Sequence, residues 1–257
     1  MTRKAAFITG GTRGLGKCTA EALAKEGFDL VINYRTEHED TLPWIRNLQN
    51  TYNVKVQLVK GNLSNVQECK SVSRYVLEQV PHLNVLILNA GPYIVERKKL
   101  VDYTEEEWNE LITGNLSSTF YILKTLMPVL RGNKGRIITF GFEKVESAPA
   151  WMYRSVFAAA KTGLASLTKT IALEEAPYGV TVNMICPGDI TQDWKEKRID
   201  QAKEIHDSSK PVGRPGTGED ISRMVVFLCD DNSDFITGSI FHVNGGQDVL
   251  SKSYEKL

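Results

Sequence analysis

The sequence predicts a single domain of the α/β class, built on a doubly wound parallel sheet with helices on both faces. Seven short, continuously apolar runs have the length and composition of strands buried on both faces. They lie at 5–9, 30–33, 54–59, 85–88, 136–140, 180–185 and 239–243. Amphipathic stretches of helix length separate them. Because no repeat, low-complexity tract or Pro/Ser-rich linker divides residues 1–257, one domain is expected over that range.

The connecting stretches carry signals for helix starts. The first strand leads through glycines into a helix that begins near Lys17. Residues 104–107 form a capping-box pattern, and residues 64–67 form a weaker one. Two long helices are predicted at 117–130 and 153–175. Repeated strand–helix units imply right-handed crossovers, so a ligand is expected beyond the carboxyl ends of parallel strands.

Composition argues against several classes of protein. The chain has 31 Lys+Arg and 31 Asp+Glu, whereas binders of nucleic acids or membrane surfaces rely on clustered excess positive charge. No apolar run approaches the ~20 residues that cross a bilayer. The first residues lack the apolar stretch of a signal peptide, so a cytoplasmic protein is predicted. The four cysteines are far apart and form no CxxC pair, so neither a disulfide framework nor a metal site is expected.

A glycine-rich turn follows the first predicted strand. It reads Thr9-Gly10-Gly11-Thr12-Arg13-Gly14-Leu15-Gly16 and leads directly into the first helix. Glycines permit a tight turn and let backbone N–H groups approach a diphosphate at a helix N-terminus. A glycine-rich turn can serve geometry alone, but its position between a buried strand and a helix favours dinucleotide binding.

This loop and four further segments resemble the short-chain dehydrogenase/reductase family over nearly the whole chain. The further segments are Asn89-Ala90-Gly91, Asn115, Pro187-Gly188 with Ile190-Thr191, and Asn244-Gly245-Gly246. The resemblance implies a Rossmann-fold, NAD(P)-binding oxidoreductase of a small molecule, usually a dimer or tetramer. It implies cofactor contacts by Gly10, Thr12, Gly14, Leu15, Gly16, Asn89, Ala90, Gly91, Pro187, Gly188 and Ile190, and a catalytic-site role for Asn115.

The end of the second predicted strand favours NADP(H). An NAD enzyme of this type carries an acid there, bonded to both ribose hydroxyls, but residues 31–36 contain none. Arg35, together with Arg13 of the glycine loop, can form charge-assisted bonds with a 2′-phosphate. The alternative for Arg35 is a solvated loop charge. Asn62 stands where the family usually has an Asp beside the adenine, and its amide can both accept and donate. Asn62 and Leu63 are both expected among the cofactor-binding residues.

The resemblance implies a Ser, a Tyr and a Lys around the helix that follows the fifth strand. Lys161 matches the lysine, within Lys161-Thr162-Gly163-Leu164, and also belongs among the cofactor-binding residues. Phe157 stands at the expected tyrosine position and Phe142 at the expected serine position. A phenyl ring neither transfers a proton nor polarises a carbonyl, so ordinary ketone chemistry is predicted to be severely impaired.

Two tyrosines are candidate replacements for the missing hydroxyl. Tyr153 lies eight residues before Lys161, on a similar face if the helix begins that early. Tyr93 follows the Asn-Ala-Gly segment closely enough to overhang the cleft. The alternative for each is an ordinary half-buried tyrosine. The polar segment 191–210, a lid in the family, is expected to be an open, flexible flap.

Two functions remain open at this point. The first is an NADP(H)-dependent oxidoreductase, similar to 3-oxoacyl-(acyl-carrier-protein) reductases, with an atypical site for a carbonyl, enoyl or imine substrate. The second is a catalytically silent NADP(H)-binding sensor or scaffold. The resemblance also implies a homodimer or homotetramer, through helices 117–130 and 153–175. Family resemblance keeps the oxidoreductase ahead.

Overall fold

Within residues 3–247, which the computed structural model describes, seven parallel strands form one sheet. The order is β3-β2-β1-β4-β5-β6-β7. The strands are β1 (Ala5–Ile8), β2 (Asp29–Tyr34), β3 (Val56–Lys60), β4 (Leu83–Leu88), β5 (Arg136–Phe140), β6 (Thr181–Pro187) and β7 (Ile240–Val243). The strand order reverses between β1 and β4, so the crevice for a ligand opens at the carboxyl ends of these two strands.

Helices cover both faces of the sheet. They are α1 (Gly14–Lys25), α2 (Thr41–Tyr52), α3 (Val66–Gln79), α4 (Glu105–Ile112), α5 (Ser118–Gly132), α6 (Ser155–Glu175), α7 (Ile199–Ala202) and α8 (Gly218–Cys229). One face of β1 presents Ile8 to Leu23 of α1 and to the cluster containing Ile221 of α8. The other presents Phe7 to the cluster containing Leu126 of α5. Burial on both faces explains why the strand sequences are continuously apolar.

The predicted fold class is confirmed, with all seven strands present and their bounds shifted by at most two residues. The capping box at 104–107 is confirmed, since Thr104 and Glu107 bond reciprocally at the start of α4. The weaker pattern at 64–67 is displaced by one residue, because Asn65 caps α3.

The predicted starts of the two long helices are revised. A π-helical turn, Thr113–Ser117, joins α4 to α5 and has no signature in the apolar pattern. The helix predicted from residue 153 begins only at Ser155, because Tyr153 adopts a left-handed backbone with φ 64°. Over the described part of the chain no helix is long and apolar enough to cross a membrane.

Candidate active site

The glycine loop between β1 and α1 depends on glycine at several positions. Gly10 and Gly14 have φ of 59° and 57°, a left-handed conformation that other residues rarely adopt. Gly16 lies where a Cβ would press on the Gly10 carbonyl and come within 2.6 Å of Asn89 Nδ2. The tight turn predicted from the sequence is therefore present.

Residues after β4 hold the glycine loop in place. Asn89 Nδ2 donates to the carbonyls of Thr9 and Gly10, both at 3.0 Å. The Ala90 backbone N–H donates to the Thr9 hydroxyl at 2.9 Å. These bonds join the carboxyl ends of β1 and β4, the two strands that flank the crevice.

Asn33 supports the loop from the other side, and the sequence reasoning missed it. It is 2 % exposed, and its Oδ1 accepts from the Gly10 N–H at 3.3 Å. Its Nδ2 donates to the Gly61 carbonyl at 3.0 Å, which ties β3 to the same loop. The available signal was an amide side chain at the end of an otherwise apolar strand run.

The two arginines assigned to a 2′-phosphate are both exposed. Arg13 lies at the N-cap of α1. Arg35 follows β2 and pairs with Glu110 of α4 at 3.0 Å, across solvent-exposed surface. The Asn62 oxygen accepts from the Ser64 N–H at 3.1 Å, which leaves its amide N–H₂ as the group able to meet a base.

Lys161, Asn115 and Gly91 meet beside the crevice. A Cβ on Gly91 would contact Asn115 Oδ1 and lie 3.6 Å from Lys161 Nζ. Asn115 Nδ2 donates to the Pro92 and Leu111 carbonyls at 2.8 and 3.0 Å. Its buried Oδ1 has no hydrogen-bond partner among the described residues. Buried acceptors are seldom left unpaired, so this oxygen suits a donor supplied by a ligand.

The Lys161 ammonium is buried, and no carboxylate among the described residues pairs with it. Burial lowers its pKa to about 8, and the Cys186 thiol opposes that shift only slightly. Within residues 3–247 the ammonium has no hydrogen bond, and it lies 5.8 Å from the centroid of the Phe157 ring. A desolvated lysine in a cleft is typical of a functional site.

We expect Lys161→Met to raise the free energy of unfolding by about 1–3 kcal/mol at neutral pH, because one pKa unit corresponds to about 1.4 kcal/mol. The native pKa, about 8, lies below the usual 10.5. The buried ammonium of the wild type therefore destabilises the fold fully below pH 8, where the folded and unfolded states both hold the proton. This effect is lost as pH rises towards 10.5. Urea unfolding at neutral pH and at about pH 10 measures the gain. Lys169→Met, at an exposed position on the same helix, serves as control; an equal gain there would contradict the interpretation.

Aromatic rings fill the space beside Lys161. The Phe157 ring centroid lies 5.0 Å from Tyr93, 6.0 Å from Trp151 and 6.4 Å from Phe142. Phe142 packs on Trp151 at 5.0 Å and is only 5 % exposed, within an apolar cluster shared by β6 and α6. The cleft next to Lys161 is therefore lined largely by aromatic rings, and the ring that its ammonium faces, that of Phe157, carries no hydroxyl group.

The helical-spacing argument for Tyr153 is wrong, because this residue precedes α6. The Arg97 guanidinium lies 4.6 Å from the centroid of the Tyr153 ring. The catalytic role of Tyr153 stays a prediction. The Tyr93 hydroxyl accepts from Arg154 Nε at 2.7 Å. Both tyrosines thus have cationic partners in the structure.

The segment after β6 approaches the crevice and is docked, rather than the open flap expected from the sequence. Ile190 is buried, and a Cβ on Gly188 would come within 2.7 Å of Asn244 Cα. Farther along, Glu196 accepts a hydrogen bond from the Gly14 backbone N–H at 2.6 Å. The sequence favours a solvated loop carboxylate for Glu143, but the side chain is buried and accepts from Asn244 Nδ2 at 2.5 Å.

The parts of this site define a class of protein. A glycine loop opens the first helix at the switch point, and neighbouring side chains hold its shape. Beside it lie a buried amide oxygen without a partner among the described residues and a desolvated lysine. That combination fits a dinucleotide-binding α/β protein. No metal-holding group of three or more His, Cys, Asp or Glu occurs between residues 3 and 247.

Comparison with known proteins identifies the family. The family model described as Enoyl-(Acyl carrier protein) reductase matches residues 10–248. The chain belongs to this family, the short-chain dehydrogenase/reductase oxidoreductases, as the sequence resemblance predicted.

Individual relatives match along almost their full length. The provisionally named oxidoreductase YtkK of Bacillus subtilis is 44% identical over 96% of this chain and 98% of its own. The 3-oxoacyl-[acyl-carrier-protein] reductase FabG of Staphylococcus aureus is 33% identical over 95% and 97%.

Two solved structures extend the comparison to three dimensions. A Bacillus thuringiensis protein provisionally described as a 3-oxoacyl-reductase superposes with a TM-score of 0.87 at 45% identity, covering 97% of this chain and 100% of its own. The acetoin dehydrogenase YohF of Salmonella typhimurium superposes with a TM-score of 0.84 at 25% identity, and the match covers 95% of this chain and 96% of YohF.

Proposed function

We propose that the protein is an NADP(H)-dependent reductase of a small substrate, with an enoyl or imine group favoured over a ketone carbonyl. The observation that carries this proposal is the contact between Lys161 and the Phe157 ring. A ketone needs an acid at its oxygen as hydride arrives, and a phenyl ring supplies none. Enoyl and imine substrates can take their proton from water or already carry it, so they tolerate such a site.

Different residues of the chain would hold the phosphates of the cofactor and its reacting end. The glycine loop holds the diphosphate through backbone N–H groups at the start of α1, and Arg13 with Arg35 holds a 2′-phosphate. The Asn115 oxygen accepts a hydrogen bond from the bound ligand, and the Lys161 ammonium donates a hydrogen bond to that ligand. Rings of the aromatic cluster exclude water from the reacting end. When bound, the nicotinamide supplies the hydride.

A substrate panel tests this function. NADPH oxidation is followed with ketones, enoyl thioesters and imines, and turnover is expected with one of the last two groups and not with simple ketones. Efficient ketone reduction that survives in Phe157→Ala and disappears in Tyr153→Phe would contradict the proposal, because Tyr153 would then be the proton donor.

A second candidate function is a catalytically silent NADP(H)-binding sensor or scaffold. Its support is the mutual packing of the Phe142, Trp151 and Phe157 rings, which places aromatic side chains rather than a catalytic serine and tyrosine beside Lys161. Binding of NADPH without turnover on any member of the panel would favour this candidate over the reductase.

We expect NADPH to bind at least about tenfold more tightly than NADH, since charge-assisted bonds from arginine to phosphate contribute more than about 1.4 kcal/mol. Arg35→Asp is expected to abolish or reverse the preference, because a carboxylate repels the 2′-phosphate and suits a free ribose. Calorimetric titration of both cofactors measures this. Equal affinities in the wild type would contradict it.

The pairing of Arg35 with Glu110 offers a matched control. Glu110→Gln removes the competing carboxylate and leaves Arg35 intact. We expect this variant to keep or increase the preference for NADPH. A loss of preference would show that Arg35 needs its pairing with Glu110 to be positioned.

We expect the protein to form a homodimer or homotetramer. Trp108, Phe120 and Leu173, on α4, α5 and α6, are large apolar side chains that are exposed in the single chain. Covering such a surface with a second copy removes apolar area from water. Light scattering at micromolar concentration measures the mass, and a monomer would contradict the expectation.

A further inference from the structure

The segment that follows β6 places a carboxylate on the glycine loop. This segment contains the 3₁₀ turn Gln192–Glu196, whose last residue lies against Gly14, the first residue of α1. Gly14 N–H donates to Glu196 Oε1 at 2.6 Å, and Lys17 Nζ donates to Oε2 at 2.9 Å. A backbone N–H at a helix N-terminus and an adjacent ammonium are the donors that a phosphate group uses. The Glu196 carboxylate, an anion of the chain itself, therefore occupies both of these donors.

This contact belongs to a docked segment rather than to a stray side chain. Before Glu196, the Trp194 ring packs against the core cluster between the sheet and α1. After it, the Ile199 N–H donates to a Glu219 carboxylate oxygen of α8 at 2.6 Å. Because the chain is anchored on both sides of Glu196, its carboxylate is directed at the loop.

The charges around Lys17 reinforce the contact. Burial lowers the pKa of Lys17, but the hydrogen bond and charge of Glu196, with the charges of Asp40 and Glu21, leave that pKa above its usual value. Asp40 lies 3.8 Å from the same ammonium. A phosphate that approaches this end of α1 therefore meets a cation already paired with carboxylates.

We propose that Glu196 is an internal competitor for the diphosphate of the cofactor, and that the turn Gln192–Glu196 must withdraw before the cofactor binds. The inference rests on the NADP(H) site of the proposed function. One N–H cannot serve a carboxylate and a phosphate at once, so the docked turn lowers the apparent affinity in proportion to its population. Cofactor binding is thereby coupled to the position of the segment that borders the substrate side of the crevice.

Three variants test this in fluorescence titrations with NADPH. Glu196→Gln removes the charge and keeps the shape, whereas Glu196→Asp keeps the charge on a side chain too short to reach Gly14. We expect both to bind NADPH about five- to tenfold more tightly than wild type, the effect of losing one charge-assisted bond. Glu204→Gln removes an exposed carboxylate from the same segment and is expected to bind like wild type.

The possible results separate the competing explanations. Unchanged or weaker binding by Glu196→Gln would overturn the proposal, since the carboxylate would then not compete. Tighter binding by Glu196→Gln with wild-type binding by Glu196→Asp would also overturn it, because only long-range charge would be acting. Failure of every protein, wild type included, to bind NADPH would instead contradict the proposed function. Urea unfolding of each variant verifies that the fold is retained.

Discussion

The double variant Phe142→Ser, Phe157→Tyr is expected to reduce a 3-ketoacyl thioester with NADPH, at least about 100-fold faster than wild type. The tyrosine restores a hydroxyl one helical turn from Lys161, whose ammonium stabilises the phenolate and lowers its pKa. The serine supplies a donor and removes a ring that packs 6.4 Å from Phe157. Initial rates of NADPH oxidation measure the gain.

The two changes should act as a unit. Phe157→Tyr alone is expected to recover little, because the Phe142 ring still packs near position 157 and supplies no hydrogen-bond donor. Phe142→Ala with Phe157→Tyr opens the same space without the serine donor, so it separates space from hydrogen bonding. A double variant no faster than the sum of its single variants would contradict the prediction.

Stability must be measured alongside activity in these variants. Phe142 is buried against Trp151, and truncation of a buried phenylalanine costs about 3–5 kcal/mol. Rates are therefore compared per folded molecule, with the folded fraction determined from urea unfolding of each protein. A loss of fold in Phe142→Ser would leave the Phe157→Tyr single variant as the test of the hydroxyl alone, with any measurable gain over wild type as its expected result.

Gly16→Ala is expected to weaken NADPH binding at least about 100-fold and to destabilise the fold by about 1–3 kcal/mol. The added methyl group would press on the Gly10 carbonyl and on Asn89 Nδ2, the two groups joined by a hydrogen bond that shapes the loop. Either the loop or α1 must then move, and the backbone donors no longer converge. Fluorescence titration and urea unfolding measure the two effects.

Gly132→Ala is the matched control. Gly132 is also helical, at the end of α5, but a Cβ there meets nothing within 4 Å. Both substitutions gain the helix propensity of alanine, worth about 1 kcal/mol, so only the collision distinguishes them. Wild-type affinity in Gly16→Ala, or an equal loss in Gly132→Ala, would show that the packing at Gly16 does not govern the site.

The sequence predicts the fold class because its signals are local. Continuous apolar runs of strand length, the helices between them and the glycine loop each follow from neighbouring residues. Resemblance to the family places Asn89, Asn115 and Lys161 in the site, and the fold brings all three to the crevice. The position of Phe157 beside Lys161 likewise follows from their spacing, because residues four apart lie on the same face of a helix.

Other features of the site depend on pairings that spacing cannot express. Asn33 bonds the loop from a strand whose apolar pattern conceals its role, and Arg35 meets Glu110, which lies 75 residues away along the chain. The start of α6 was misplaced because the left-handed backbone of Tyr153 leaves no mark on hydrophobic periodicity.

A doubly wound sheet with a glycine loop at its switch point can be predicted from the amino-acid sequence alone. The contact of Glu196 with that loop, 182 residues from Gly14, becomes visible only in the folded chain. Apolar periodicity reports which faces are buried, because burial of apolar surface acts on every residue of a strand or helix. The choice of partner for a single charged side chain depends on where the whole chain brings its ends together, and that is a property of the assembled fold.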